Sequence, residues 1–418
     1  MRLSTEAAVR KAVIRAVNKT PVLDMHTHIY EPRFKKLLLW GIDELLTYHY
    51  LIAELFRARP DLPTGVFWKL SKKKQADLIW NALFVERSPV GEACRGVVTC
   101  IKALGIRPGP TALEKARRYF AGRDIESYVD KVFNISGVTG AVMTNNPFDP
   151  EEAALWDRGG KRDGRFIPAL RIDNLLRDWP GAARALREMG YKVAGGSKGP
   201  DAQAAKEILR FLSDWTDRID PVYMAASLPP EFGYPGRDDC TAVLDRCILP
   251  FAAERELPMA VMIGARIGVN PELRLAGDGV GRSSVEAVEA LCRQWPEVRF
   301  LVTMLARENQ HQLCVAARKF GNLMLFGCWW FLNDPSIIEM MTAQRLELLG
   351  TSFVPQHSDA RVLDQLIYKW RHSRIVIGEV LADKFADAFN SGWPLTSREI
   401  KRDVERLFSG NFLEFVGR

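Results

Sequence analysis

The chain has 418 residues, of which 47% are hydrophobic and 26% are charged, a composition typical of a globular protein with a large buried core. This composition excludes an intrinsically disordered chain, a collagen-like repeat and a small disulfide-stapled domain. The formal net charge is +7, but lysines and arginines alternate with acids and the densest basic run is only residues 72–74. We therefore expect no nucleic-acid partner, whereas an anionic small-molecule substrate is compatible with this charge.

The seven cysteines are scattered along the chain, and no two of them have the spacing of a CxxC motif. Their odd number and their spacing predict reduced thiols rather than a disulfide framework or a thiolate zinc site. The first residues lack the apolar core of a signal peptide, and no uninterrupted apolar run reaches about 18 residues. We expect a cytoplasmic protein that does not contact a membrane and that assembles as a homo-oligomer.

The predicted elements begin with a helix over residues 5–18, for which Ser4 and Thr5 provide a cap. Residues 22–28, with the sequence VLDMHTH, follow as a short strand after Pro21. The next hundred residues contain no convincing strand, and their pattern predicts helices over residues 37–55, 75–85, 94–104 and 112–120. The sequence therefore predicts an α-helical insertion over residues 30–135, directly after the first strand.

After the insertion the chain alternates between short apolar runs and helical stretches. The runs are residues 140–144, 166–171, 222–227, 258–263, 299–304, 323–328 and 352–357. Together with the first strand they number eight, and apolar runs separated by helices are typical of parallel strands, so the sequence predicts a (β/α)8 TIM barrel. An open doubly wound sheet is the alternative, although no glycine-rich phosphate fingerprint follows any strand. We expect one domain over residues 1–418.

Functional residues of such a barrel lie at the carboxyl ends of its strands. His26 and His28 end the first strand, where strand alternation directs both imidazoles to one side and allows them to bind one metal ion. Asp359 follows the predicted last strand, which neighbours the first once the barrel closes. Two histidines and one aspartate leave a position open for water or substrate, as in catalytic zinc sites. The alternatives are core histidines and an Asp359 that caps a helix from Val362.

A second metal ion would require a bridging lysine or glutamate in a middle strand and further histidines at later strand ends. The later strands end instead in Ser227, Met262 and Thr303. The sequence therefore predicts a single metal ion.

Two arginines are candidates for binding an anionic substrate. Arg171 ends the third strand and Arg361 follows the candidate ligand Asp359, and a guanidinium can bind a carboxylate through two hydrogen bonds. The alternative for both arginines is a surface salt bridge.

Three aromatic features can line a site or simply pack in the core. His49 and Tyr50 lie in the first helical segment of the insertion, and the pair Trp329 and Trp330 follows the seventh strand. The tryptophans can form the wall of a sugar site or cover the core.

Four segments, taken together and in this order, resemble the uronate isomerase family of the amidohydrolase superfamily. They are residues 22–28 (VLDMHTH), 39–50 (LWGIDELLTYHY), 328–334 (CWWFLND) and 357–361 (HSDAR). The resemblance spans essentially the whole chain and includes the helical insertion after the first strand.

This resemblance implies a distorted (β/α)8 barrel with one divalent metal ion, usually Zn²⁺, bound by His26, His28 and Asp359. It implies interconversion of D-glucuronate with D-fructuronate, and commonly of D-galacturonate with D-tagaturonate. The implied substrate-site residues are His49, Tyr50, Arg171, Arg361, Trp329 and Trp330. The chain departs from the family at residues 260–264, AVMIG, because Met262 stands where many members have a histidine, which removes a possible metal contact.

For the isomerisation we hypothesise that Asp359 accepts the proton from carbon 2 and returns it to carbon 1 through a cis-enediol. Tyr50 would move protons between the two oxygens, while His49, Arg171 and Arg361 would neutralise the carboxylate and the developing oxyanion. Two alternatives remain, a mononuclear metal-dependent hydrolase or decarboxylase of the same superfamily and a non-catalytic uronate-binding protein.

Overall fold

In the computed structural model, which describes residues 2–193 and 199–418, the chain begins with helix α1 (Glu6–Lys19). The side chain of Thr5 accepts a hydrogen bond from the Ala8 amide at 3.2 Å, which confirms the predicted cap. Strand β1 (Val22–Thr27) follows, and all six of its residues are buried. The N-terminal part of the chain thus forms the two elements that the sequence predicts.

Residues 28–137, all of which the structure describes, form helices and loops but no strand of the sheet. Their helices are α2 (Ile42–Leu46), α3 (His49–Ala58), α4 (Thr64–Phe67), α5 (Lys72–Trp80), α6 (Glu92–Ala103), α7 (Ala112–Ala121) and α8 (Ile125–Ser136), with a 3-10 turn at Pro32–Leu37 and a π-helical turn at Asn81–Val85.

The predicted helix over residues 37–55 is wrong as a continuous element. The hydroxyl of Thr47 donates to the carbonyl of Asp43 at 2.7 Å where α2 ends, and Tyr48 is extended. The break places His49 and Tyr50 at the start of α3 rather than within a longer helix. Helix α8 was not predicted.

The remaining chain alternates between strands and helices. The strands are β2 (Val138–Asn145), β3 (Phe166–Arg171), β4 (Met224–Leu228), β5 (Met259–Ile263), β6 (Ala265–Arg266), β7 (Gly279–Val280), β8 (Phe300–Met304) and β9 (Leu323–Leu325). The helices are α9 (Pro150–Asp157), α10 (Asp173–Arg177), α11 (Trp179–Glu188), α12 (Ala202–Ile219), α13 (Asp239–Val243), α14 (Leu249–Glu254), α15 (Val285–Gln294), α16 (Gln310–Ala317), α17 (Pro335–Leu349), α18 (Gln365–Asn390), α19 (Ser397–Glu405) and α20 (Asn411–Val416).

Within the described chain, seven strands form one parallel sheet in the order β1-β2-β3-β4-β5-β8-β9, while β6 and β7 form a separate antiparallel pair. All seven correspond to predicted runs: β3 has the same bounds as its run, and the other six differ from their runs only at their ends. Helices follow most of the strands, which confirms an α/β protein with a parallel sheet.

The predicted eighth strand over residues 352–357 is wrong as a regular strand, because only Val354 forms a bridge, to Phe326. Pro355 has no amide hydrogen to donate, and the side chain of Gln356 accepts the next amide, that of His357, at 3.1 Å. The segment nevertheless lies between β9 and β1. The amide of Val354 donates to Leu325 at 2.9 Å, and the amide of Asp359 donates to His26 at 3.1 Å.

Two large apolar cores lie on opposite faces of the sheet. The larger one packs the sheet against the surrounding helices. The inner one has members from six of the seven strands, and Met324 of β9 packs against it. Its members include Leu23, Met25, Val142, Ala169, Ala225, Ala260, Leu301, Phe326, Val354, Phe412 and Val416. The sheet therefore curls around an apolar interior.

All seven cysteines are unpaired and six of them are buried, as the sequence predicts. In the part of the chain that the structure describes, no helix is both long and apolar enough to cross a membrane.

Candidate active site

His26, His28 and Asp359 converge beyond the carboxyl end of β1. The Asp359 Oδ1 atom lies 3.3 Å from Nε2 of His28 and 3.7 Å from Nε2 of His26. One potential ligand atom from each of the three residues lies within 4.8 Å of the others. The structure therefore brings together the three residues that the sequence selects as metal ligands.

The backbone around Asp359 explains how a residue so late in the chain reaches β1. Asp359 has φ of 51°, a left-handed conformation that is uncommon for a residue other than glycine and is frequent at functional sites. Its amide donates to the His26 carbonyl, and the His28 amide donates to the Ala360 carbonyl at 2.7 Å. The alternative role as a helix cap is wrong, because the next helix, α18, begins only at Gln365.

Both imidazoles are neutral at pH 7, which is the form that binds a metal ion. Burial, and after it the charge of His28, lowers the pKa of His26 to about 3. Burial followed by the charges of Arg361 and Arg171 lowers the pKa of His28 well below its ordinary value.

The donor set fits a divalent cation. Nε2 of His26 and Oδ1 of Asp359 are buried and have no hydrogen-bond partner among the described residues, a costly arrangement unless something else satisfies them. Two imidazole nitrogens and one carboxylate oxygen are ligands that Zn²⁺ prefers, with a further position left open.

Two hydroxyl groups that the sequence did not single out contact these imidazoles. The Tyr223 hydroxyl lies 3.1 Å from Nδ1 of His26, and the Thr144 hydroxyl lies 2.8 Å from Nδ1 of His28. Thr144 lies near the end of β2, whereas Tyr223 precedes β4. The position of Thr144 near a strand end was the only sequence feature that could have indicated a functional role for it. No local sequence pattern indicated such a role for Tyr223.

The positive charges of Arg171 and Arg361 act on His26 and His28. Arg171 ends β3, and its Nε donates to Asp173 at 3.1 Å. This is a half-buried ion pair rather than one on the open surface. After burial, the charge of Arg361 is the largest cause of the lowered pKa of both His28 and His49. The structure thus places positive charge near His26 and His28.

His49 and Tyr50 line a cavity that His26, His28 and Asp359 do not themselves line. Asn333, which also lines it, donates to the carbonyl of Ser358, the neighbour of Asp359, at 3.0 Å. Nε2 of His49 and the hydroxyl of Tyr50 are buried without a partner among the described residues. Burial, and after it Tyr48, raises the pKa of Tyr50 well above its ordinary value, so the hydroxyl is protonated at pH 7. The cavity has a volume of about 240 Å³, and its lining also includes Glu92, Trp330, Phe331 and Asn333.

The two adjacent tryptophans, Trp329 and Trp330, have different surroundings. Trp330 lines the cavity, and its ring centroid lies 5.7 Å from that of His49. Trp329 packs with Met262, Ala265 and Leu305 in a small buried apolar cluster. Met262 therefore forms apolar packing against Trp329.

Lys369 and Tyr48 also lie close to the site and were not predicted. Nζ of Lys369 is buried, has no partner in the described part of the chain and lies 5.5 Å from the ring centroid of Tyr50. Burial, and after it the charge of Asp359, raises the pKa of Tyr48. The only sequence feature that could have indicated Lys369 is its position within the otherwise apolar run LIYKW of residues 366–370.

No protein-family model and no curated protein sequence matches the chain. Among solved structures, the chain is similar to a uronate isomerase from Bacillus halodurans C-125, with 52% sequence identity and a TM-score of 0.97. The match covers 100% of this chain and 98% of the other.

Two more distant structures share the fold. A uronate isomerase from Thermotoga maritima has 15% identity and a TM-score of 0.77, with 99% of each chain covered. A glucuronate isomerase from Caulobacter crescentus has 14% identity and a TM-score of 0.79, with 99% of this chain and 94% of the other covered. The full-length match at 52% identity is decisive, and the chain belongs to the uronate isomerase family.

Proposed function

We propose that this isomerase converts D-glucuronate to D-fructuronate, and D-galacturonate to D-tagaturonate, at a site with one divalent metal ion. The observation that carries this proposal is the full-length similarity, at 52% identity, to the uronate isomerase of Bacillus halodurans. The convergence of His26, His28 and Asp359 beside a cavity that contains Tyr50 supports it.

The proposed metal ligands are His26, His28 and Asp359, and the proposed ion is Zn²⁺, which prefers nitrogen and oxygen ligands in this number. When bound, the ion would act as a Lewis acid that stabilises negative charge on the substrate oxygens. Met262 fills the position of a further histidine with an apolar side chain, so the three ligands suffice in this proposal.

The substrate is a sugar acid, and we assign its carboxylate to the arginines. Arg171 is fixed by its ion pair with Asp173, and Arg361 provides a second charge near His28 and His49. His49 would donate a hydrogen bond to a substrate oxygen. Trp330 would form the apolar wall of the site, and Trp329 would support it from the buried cluster against which Trp330 packs.

Proton transfer then requires one base and one hydroxyl. Asp359 takes the proton from carbon 2, the released electron pair forms the bond between carbons 1 and 2, and the carbonyl oxygen on carbon 1 takes a proton from Tyr50. Tyr50 recovers a proton from the oxygen on carbon 2 as the new carbonyl forms, and Asp359 returns its proton to carbon 1. The cycle leaves both residues unchanged, and one base suffices because the proton returns to the adjacent carbon.

The local environment of Tyr50 supports this role. Its buried hydroxyl has no protein partner within the described residues, so its hydrogen bond is available to the substrate. Burial raises its pKa, which keeps it a proton donor in the free enzyme, and the nearby ammonium of Lys369 would stabilise the transient phenolate.

We also propose that the curled sheet is a distorted (β/α)8 barrel that residues 353–360 close, and that residues 30–135 are an insertion in this single domain. Backbone hydrogen bonds from residues 354–360 to β9 and β1 and the shared inner core support the closure. The seven unpaired cysteines support a reducing compartment such as the cytoplasm.

The direct test incubates the purified protein with D-glucuronate or D-galacturonate and measures ketose formation and product mass. Three samples are compared: the protein as purified, the protein after a chelator, and the chelated protein resupplied with Zn²⁺. We expect a ketose of unchanged mass from the first and third samples only. His28→Ala should be inactive, whereas His311→Ala, at an exposed histidine, should retain activity.

The other candidate functions give different results in the same experiment. A decarboxylase would release carbon dioxide, a hydrolase would add water, and a binding protein would return the substrate unchanged. Absence of ketose from both uronates would overturn the proposed activity.

A further inference from the structure

The Tyr223 hydroxyl makes two contacts that together determine where His26 carries its proton. It donates to the Met25 carbonyl at 2.9 Å and lies 3.1 Å from Nδ1 of His26. A phenol has a single hydrogen, and that hydrogen is committed to the carbonyl. The oxygen can therefore only accept from His26, so the proton of the neutral imidazole lies on Nδ1 and the lone pair lies on Nε2.

Thr144 repeats this arrangement at the second imidazole. Its hydroxyl donates to the Thr27 carbonyl at 3.0 Å and lies 2.8 Å from Nδ1 of His28. The single hydrogen of this hydroxyl is again donated to a backbone carbonyl, so its oxygen accepts a hydrogen bond from Nδ1 of His28. Thr144 of β2 and Tyr223, which precedes β4, thus act alike on the two histidines.

The carboxylate of Asp359 competes with the two hydroxyls for the hydrogens of the imidazoles. Oδ1 of Asp359 lies 3.3 Å from Nε2 of His28 and 3.7 Å from Nε2 of His26. A carboxylate accepts hydrogen bonds, so in the absence of a metal ion it favours the opposite tautomer, with the hydrogen on Nε2. That tautomer would direct an N–H group, rather than a lone pair, at the place where the ligand atoms converge.

We propose that Tyr223 and Thr144 are positioning residues that hold both histidines in the Nδ1–H tautomer and thereby prepare their Nε2 atoms to bind the metal ion. The inference rests on the proposed metal site. Neither hydroxyl can be replaced readily by water, because Tyr223 is 0% and Thr144 is 2% exposed. The ring of Tyr223 is held in the inner core, with centroids 6.3 Å from Phe326 and 6.2 Å from Phe412.

The variants Tyr223→Phe and Thr144→Val remove the two hydroxyls and leave the shapes nearly unchanged. Tyr119→Phe and Thr342→Val are matched controls, because their buried hydroxyls have no partner among the described residues and lie on helices α7 and α17. Thr144→Ser keeps the hydroxyl and should restore the wild-type behaviour.

The first measurement is the Zn²⁺ dissociation constant of the metal-free protein at neutral pH, by competition with a chromophoric chelator. Loss of a partner of a metal-binding histidine typically weakens metal binding by about 10- to 100-fold, and we expect this range for Tyr223→Phe and Thr144→Val. The second measurement is the imidazole tautomer in metal-free protein labelled with ¹⁵N-histidine, from two-bond proton–nitrogen correlations. We expect Nδ1–H for both histidines in the wild type, and a shift towards Nε2–H in His26 of Tyr223→Phe and in His28 of Thr144→Val.

Equal Zn²⁺ affinity and an unchanged tautomer in folded Thr144→Val or Tyr223→Phe would overturn the inference, as would an Nε2–H tautomer in the wild type. If one variant fails to fold, the other decides the question. A wild type that binds no Zn²⁺ overturns both the metal site and the inference. A wild type that binds Zn²⁺ but does not isomerise uronates contradicts only the proposed function.

Discussion

The carboxylate of Asp359 lies 3.3 Å from the imidazole of His28, although one residue follows the last extended segment of the sheet and the other follows the first strand. Backbone hydrogen bonds between residues 359–360 and residues 26–28 hold the two segments together. The site therefore exists only when the amino-terminal and carboxyl-terminal parts of the sheet meet.

Asp359→Asn tests the two proposed roles of Asp359 together, as metal ligand and as base. The amide keeps the shape of the side chain but cannot accept the proton from carbon 2, and we expect the turnover of D-glucuronate to fall by about 100- to 10,000-fold. Ketose formation under saturating substrate measures the change, and the melting temperature checks that the variant is folded. Asp61→Asn, at an exposed ion pair, is the control. Near wild-type turnover in Asp359→Asn would show that the proposed mechanism is wrong.

Tyr50→Phe tests the proposed proton shuttle. The substitution removes one buried hydroxyl that lines the cavity, and loss of a preorganised donor of this kind typically costs about 100- to 1,000-fold in turnover. Tyr119→Phe is a matched control, because it removes another buried hydroxyl without a described partner on helix α7. If the two variants lose the same small amount of activity, Tyr50 has no role in proton transfer.

Local patterns were enough to predict the parallel strands and to select the three residues that converge at the candidate metal site. Runs such as residues 166–171 match their strand from end to end, because strands of a parallel sheet covered on both faces are rich in apolar residues. His26 and His28 were recognisable because they combine metal-binding chemistry with a strand end.

Features that depend on contacts distant in sequence were not predictable. Residues 352–357 have the composition of a strand, but Pro355 and the side chain of Gln356 interrupt the ladder. Tyr223 and Thr144 gain their roles only from contacts with β1, and Lys369 becomes notable only when folding buries it beside Tyr50.

Trp370→Phe tests a buried hydrogen bond that joins α18 to β1. The indole Nε1 donates to Oδ2 of Asp24 at 2.7 Å, and the Ser358 amide donates to Oδ1 at 2.9 Å. Asp24 is fully buried, and burial raises its pKa to about 6 despite these bonds. Removing the indole leaves Oδ2 of Asp24 without this donor and creates a small cavity. We therefore expect the free energy of unfolding to fall by about 2–4 kcal/mol.

Urea unfolding at neutral pH measures this loss. Trp393→Phe is the control, since Trp393 is 64% exposed and surface substitutions typically change stability by no more than about 0.5 kcal/mol. Equal stability of the two variants would contradict a role for the Asp24–Trp370 hydrogen bond.

His372 gives the protein a testable sensitivity to acid. It lies on α18, where its Nε2 atom is 3.0 Å from the Thr99 hydroxyl of α6. Burial, and after it the charges of Arg95, Lys369 and Arg371, lowers its pKa from 6.5 to about 4. As the pH falls through this interval, the unfolded chain binds a proton at His372 and the folded protein does not, so the folded state loses stability.

His372→Gln removes this titration while keeping a polar side chain opposite Thr99. Because His372 is partly exposed, solvent screening reduces the effect, and we expect the variant to lose about 1 kcal/mol less stability than the wild type between about pH 7 and pH 5. Urea unfolding free energies of both proteins at the two pH values give this difference directly. His311→Gln, at an exposed histidine, controls for the loss of an imidazole as such. If His372→Gln and the wild type lose equal stability on acidification, burial of His372 does not contribute to the acid sensitivity of the fold.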